Sequence, residues 1–237
     1  MKMILLFIGL LLLAGCAGQQ QGLGRLWAGG QCSKPDADQQ LALNLADAML
    51  NEGRPHASLA HLEQLPDSLE PVRLRKARVL RLLGRSEAEP LYRSLLGGCL
   101  AAEGEHGLGQ LASARGDDRQ ALRNLERAVR LAPTEANVRN DLGVVLMNLG
   151  QHEQARFQFL TALELKDDDA LPAVNLVTLS LLQDNWSQAT DLVTRLRLKP
   201  EQFAEAQARA QQLRSMGRAA MPVSGTTQHA KGADQDA

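Results

Sequence analysis

Three cysteines (Cys16, Cys32, Cys99) and five histidines (His56, His61, His106, His152, His229) are the residues of this 237-residue chain best suited to chemistry. A thiol can be alkylated, oxidised or made a metal ligand, and an imidazole can move a proton or bind a metal. Spacing decides which of these is open. The sequence has no CxxC pair, no Cys/His cluster and no HExxH, so it implies no metal and no cofactor. The histidines are scattered, with no Ser, Cys or carboxylate beside them in a catalytic pattern, and no phosphate-cradling glycine motif occurs. His56 and His61 flank a helical turn and read as surface residues. The chain reads as a non-enzyme without a small-molecule substrate.

The cysteines point to a different chemistry. The chain opens MKMILLFIGLLLLAGCAGQQQ, with Lys2, an apolar run from Met3 to Leu13, and then small residues. The run is shorter than the ~20 residues of a spanning helix and matches a secretory leader. Leu13-Ala14-Gly15-Cys16 resembles the bacterial lipobox. That resemblance implies a leader over 1–15 and a lipid on Cys16, which becomes the first residue of the processed chain. Each buried methylene of an acyl chain contributes ~0.8 kcal/mol, so several chains anchor firmly. Ala17, rather than Asp, follows Cys16. By similarity to sorted bacterial lipoproteins this implies an outer-membrane protein, held in the inner leaflet and facing the periplasm. That compartment is oxidising, so Cys32 and Cys99 read as a candidate disulfide, with two unpaired buried thiols as the alternative. Such a bridge would close a loop of more than sixty residues, for which chain entropy gives ~4 kcal/mol.

The elements that carry these residues are helical. Apolar residues make up 44% but aromatics only 3%, so alanine and leucine form the core, which suits closely packed helices better than a sheet. The net charge of −1 does not point to nucleic acid as a partner.

An internal period organises the chain. Leu108-Gly109 recurs as Leu142-Gly143, Gly116 as Gly150, Ala121 as Ala155, Leu125 as Phe159 and Ala128 as Ala162, always 34 residues apart. Pro133 closes the first of these segments. The pattern resembles the tetratricopeptide repeat, whose fold is a pair of antiparallel helices. In that reading Gly109 and Gly143 allow close helix approach and Gly116 and Gly150 make the turns. Ala121, Ala128, Ala155 and Ala162 keep the second helices thin, and Leu125 and Phe159 fill the hole between repeats. The resemblance implies an all-α right-handed superhelix of about five hairpins, near 36–66, 70–97, 102–135, 136–169 and 170–200. Only the third and fourth keep the full pattern. In the fifth Val177 replaces the glycine, and in the second Pro90 falls early in a helix. A polar capping helix follows over 201–216. The tail over 217–237 lacks periodicity and reads as disordered, and 16–35 reads as a tether in which Trp27 docks on the first hairpin.

Solenoids of helix hairpins present a concave face lined by their first helices. The groove positions of the repeat map to Asn44, Asp47 and Asn51 in the first hairpin, and to Arg75, Arg78 and Arg81 in the second. They continue with His106 and Gln110, then Asn137, Asn140, Asp141 and Asn148, and end with Asn175. Asparagine both donates and accepts, which suits a peptide backbone, and arginine can hold a carboxylate in bidentate fashion. A peptide partner is expected there, anchored on Arg75, Arg78 and Arg81. A solvated helix face is the alternative for any one of these residues.

A lipobox, worn repeats flanking NDLGVVLMNLGQHEQARFQFLTALEL and the tail together resemble the TadD lipoprotein family of the tight adherence (Flp) pilus system over about residues 36–200. The resemblance implies a pilotin-like role: binding a segment of the secretin and aiding its localisation or assembly at the outer membrane. A type IV pilus pilotin and a lipoprotein scaffold or activator for periplasmic cell-wall enzymes are the other readings.

Overall fold

The computed structural model describes residues 32–166 and 169–220. The lipobox with Cys16, the leader, most of the expected tether with Trp27, His229 and the tail beyond 220 lie outside the described residues. No strand occurs among the described residues, and none of their helices is long and apolar enough to cross a membrane. The all-α class read from the sequence is the class observed. The chain divides into two compact units after Leu111.

The first unit holds α1 (Ala37–Asn51), α2 (Pro55–Glu63), α3 (Glu70–Leu82), α4 (Ala88–Arg93) and most of α5 (Ala101–Ala114). Asp36 starts α1 with a capping box: its carboxylate accepts from Gln39 N at 2.8 Å, and Gln39 Oε1 accepts from Asp36 N at 3.0 Å. Pro55 and Pro71 sit in the first turns of α2 and α3, where a missing N–H costs nothing. α1 packs on α2, α2 on α3 and α3 on α4 around Leu43, Leu62, Val72, Tyr92 and Leu95. The buried Ser58 hydroxyl donates to Ala46 O at 2.7 Å and ties α2 to α1.

α4 is six residues long and carries Pro90 in its first turn, where the missing N–H breaks no intrahelical bond. The chain then turns through Gly97 and Gly98 to Cys99, which is joined to Cys32 by a disulfide with a Cα–Cα distance of 5.4 Å. Gly104 and Gly107 of α5 face Tyr92. A Cβ on Gly107 would lie 2.1 Å from the Tyr92 ring, and one on Gly104 would lie 2.9 Å from its carbonyl oxygen.

The second unit holds α6 (Asp118–Leu131), α7 (Ala136–Asn148), α8 (His152–Leu165), α9 (Ala170–Leu182), α10 (Trp186–Arg195) and α11 (Pro200–Ala220). Ala121, Ala128, Ala155 and Ala162 are wholly buried, as are Leu125 and Phe159. Gly143 lets α8 approach α7, since a Cβ there would sit 2.5 Å from the Phe159 ring. One repeat on, both partners change size: Val177 stands for Gly143 and Val193 for Phe159, and both join the same core cluster. Arg139 Nε donates to Pro133 O at 2.7 Å and fixes the loop between α6 and α7. α9 is buried from Pro172 to Leu181, enclosed by α8, α10 and α11. That accounts for its apolar sequence on every side.

All five hairpin turns share one hydrogen-bond scheme. After α1, α3, α5, α7 and α9 the chain passes through Gly53, Gly84, Gly116, Gly150 and Asp184, with φ of 74°, 68°, 77°, 74° and 58°. Each of these residues donates its N–H to the carbonyl three back, and the next residue donates to the carbonyl five back: Gly150 N to Met147 O and Gln151 N to Leu146 O, for example. This is the Schellman closure, which requires a left-handed residue. Asp184 lies 34 residues after Gly150 and takes the strained conformation without being glycine.

Candidate functional site

The expected groove residues differ in what each touches. In the first unit α3 carries five cations, Arg73, Arg75, Lys76, Arg78 and Arg81. Three are held internally. Arg73 Nη1 donates to Asp67 O at 2.6 Å, with Glu70 3.9 Å from the same guanidinium. Lys76 Nζ donates to Asp67 Oδ1 at 2.6 Å. Arg75 Nε donates to Asp47, at 3.0 and 2.9 Å from its two carboxylate oxygens. Asp47 and Arg75 therefore share a face across α1 and α3, but their charges cancel. The expected anchor role of Arg75 gives way to a helix-to-helix tie.

Arg78 and Arg81 are the remaining two. Arg78 is exposed, and neither guanidinium has an acidic partner among the described residues. Arg81 is half-buried, and its Nε donates to the buried Tyr92 hydroxyl at 3.4 Å. Asn44 is exposed on α1, one helical turn before Asp47, and accepts from Gln40 Nε2 at 2.8 Å. Asn51 is exposed at the end of α1. Gln110 and His106, one turn apart on α5, lie 3.2 Å from each other.

In the second unit Asn137 and Asn148 are exposed and Asp141 is half-buried. Asn148 Nδ2 donates to Asp118 Oδ1 at 3.3 Å. Asn175 corrects the sequence expectation: it is buried, with both ends of its amide engaged. Its Nδ2 donates to Asn140 Oδ1 at 2.8 Å, and its Oδ1 accepts from Arg209 Nη1 at 2.9 Å. Arg209 comes from α11, whose Ala206 and Ala210 lie against Val174, Val177 and Leu181 of α9. Burial lowers the Arg209 pKa from its usual value, while Glu205 and Asp141 act to raise it. The capping helix thus fills the place at the fifth hairpin where a peptide was expected. The expectation failed because mapping by repeat position assumes that no further helix covers the last one.

His152 Nδ1 is 3.5 Å from Gln183 Nε2, and His106 Nε2 is 3.2 Å from Gln110 Nε2. One carboxylate oxygen of Glu70 lies 2.8 Å from Cys99 Sγ, but with both sulfurs in a disulfide there are no thiolates to make a metal site of that cluster.

Helix hairpins with a polar first-helix face define a scaffold for binding other proteins. The chain belongs to the tetratricopeptide-repeat family. The family model described as tetratricopeptide repeat matches residues 112–174. The TPR repeat-containing protein PA4299 of Pseudomonas aeruginosa is 43% identical over 215 residues, covering 90% of this chain and 84% of that one. Among solved structures, TTC0263, a thermophilic TPR protein of Thermus thermophilus, is similar with a TM-score of 0.55 and 22% identity over 74% of this chain and 98% of that one. MamA from Desulfovibrio magneticus, residues 41 to its end, gives a TM-score of 0.54 and 18% identity over 71% and 96%. At these identities the two structures bear on the fold alone.

Proposed function

We propose that this protein is a lipid-anchored assembly factor that holds an acidic peptide segment of a partner on the α1–α3 face of its first unit. One observation carries the reading: Arg78 and Arg81 are the two cations of α3 without an acidic partner among the described residues, on the same helix as the Asp47-paired Arg75. Two guanidiniums on one face can hold a carboxylate in bidentate fashion, while an exposed amide on α1 such as Asn44 can match a peptide backbone. The resemblance to the TadD family supports the finer reading. The partner is then a segment of the secretin of a tight adherence (Flp) pilus system. The site is the periplasmic face of the outer membrane, reached through lipid on Cys16, and the role is pilotin-like, aiding secretin localisation or assembly.

The test is recovery of the secretin with the purified protein and with Arg78→Glu/Arg81→Glu. The double charge reversal is expected to abolish recovery while the circular dichroism spectrum is unchanged. Equal recovery refutes the groove. Arg75→Glu is unsuitable because it would set a second carboxylate against Asp47. The anchor has its own test: Cys16→Ser should move the protein from the outer-membrane fraction to the soluble periplasm.

A further inference from the structure

The first hairpin carries the packing residues of an internal repeat, yet among the described residues nothing covers them. Counting back from each turn residue aligns the five first helices. Twelve residues before the turn stand Leu41, Val72, Gly104, Val138 and Pro172. Eight before it stand Leu45, Lys76, Leu108, Leu142 and Leu176. In the four later hairpins every one of these is buried, with α3 packed on α2, α7 on α6 and α9 on α8. Leu108, Leu142 and Leu176 retain 7%, 4% and 1% of their exposure, whereas Leu45 retains 44% and Leu41 69%. They lie four residues apart on one stripe of α1. Two leucines kept at interface positions call for an occupant that plays the part of a preceding second helix.

We infer that this occupant is residues 23–27 of the same chain, Leu23-Gly24-Arg25-Leu26-Trp27, which lie outside the described residues. Three observations favour this segment. Leu23, Leu26 and Trp27 have i, i+3, i+4 spacing, one apolar face of a helical turn, in a stretch whose other residues are Gly, Gln, Ala and Arg25. The segment leads into Cys32, which the disulfide pins to Cys99, and α1 begins only five residues later at Ala37. The connecting lengths are comparable. The five residues from Cys32 back to Trp27 can span about 17 Å. Leu41 and Leu45 lie about 6 and 12 Å along α1 from its first residue, at a rise of about 1.5 Å each. Residues 23–27 thus act as a half-repeat that closes the N-terminal end of the stack, with the disulfide as its hinge pin. Taken with the proposed lipid on Cys16, this docking shortens the free tether to residues 17–22, about 20 Å at full stretch.

The docking is tested without reference to the lipid, so its failure and that of the anchor are distinguishable. The chain contains two tryptophans, and Trp186 is exposed at the start of α10, so Trp186→Phe leaves Trp27 as the sole reporter. In that background, with the N-terminal segment intact, Trp27 emission is expected to be blue-shifted and several-fold less quenched by acrylamide than free tryptophan. Leu41→Ser/Leu45→Ser, changed at exposed positions that leave the hairpin folded, is expected to restore full quenching. Leu23→Ser/Leu26→Ser should do the same from the other side of the contact. Free quenching of Trp27 in the parent overturns the inference, as does protection that survives both double substitutions. Protection that appears only as protein concentration rises, together with a dimer in sedimentation, assigns the stripe to a second copy and equally overturns it.

Discussion

Gly143→Ala sets two known terms against each other at one atom. A helix-interior alanine gains about 1 kcal/mol over glycine from propensity alone. Here the new Cβ would lie 2.5, 2.7 and 3.0 Å from Cε1, Cδ1 and Cζ of Phe159, a ring with no exposed surface. Displacing a buried ring from a packed core costs about 1–3 kcal/mol. The sum is a net loss of up to about 2 kcal/mol. Each kcal/mol shifts Tm by a few degrees. Phe159→Leu removes the ring atoms in question, so in that background only the propensity term is left and Gly143→Ala should stabilise by about 1 kcal/mol. Urea unfolding of the four proteins of this cycle measures the coupling, expected at about 1–3 kcal/mol with a change of sign between backgrounds. Equal effects of Gly143→Ala with and without the ring would refute the account of helix approach given for α7 and α8.

Other outcomes follow from single contacts. Asn175→Ala leaves Asn140 and Arg209 short of a partner and should destabilise the second unit by about 2–4 kcal/mol in urea unfolding, while partner recovery is unchanged. Gly150→Ala forces an L side chain into the left-handed turn and should cost about 1–2 kcal/mol, whereas Asp184→Gly relieves that conformation and should gain up to about 1 kcal/mol, less whatever its ion pair with Arg214 contributes. Reduction, or Cys32→Ser, opens a loop with a sequence separation of 67 and should lower the stability of the first unit by about 4 kcal/mol, read as a shift in the urea midpoint with and without reductant.

Much of the fold was legible because the repeat writes each role twice. Glycine at turn positions, alanine at helix crossings and a large apolar residue opposite a small one recur 34 residues apart, and each has a local physical cause that needs no knowledge of the rest. The fifth hairpin shows the limit of that reading. Asp184 keeps the turn without the glycine, and Val177 with Val193 keeps the packed volume without the Gly–Phe pair. A pattern search sees two losses there, where the structure has two compensated exchanges. The site was less legible. Arg75, Arg78 and Arg81 look alike in sequence, and only the position of Asp47 on a neighbouring helix separates a neutralised residue from two without an acidic partner among the described residues.

The sequence by itself determined the helical class, the hairpin period and the turn chemistry, since these rest on contacts between residues close along the chain. Which polar residues are paired within the fold is settled only by tertiary structure. A charge is available or spent according to what lies across a helix interface, as with Asp47 and Arg75, 28 residues apart, or Asn175 and Arg209, 34 apart. Such pairings depend on how helices stack and where the last one lies, and no local pattern encodes that.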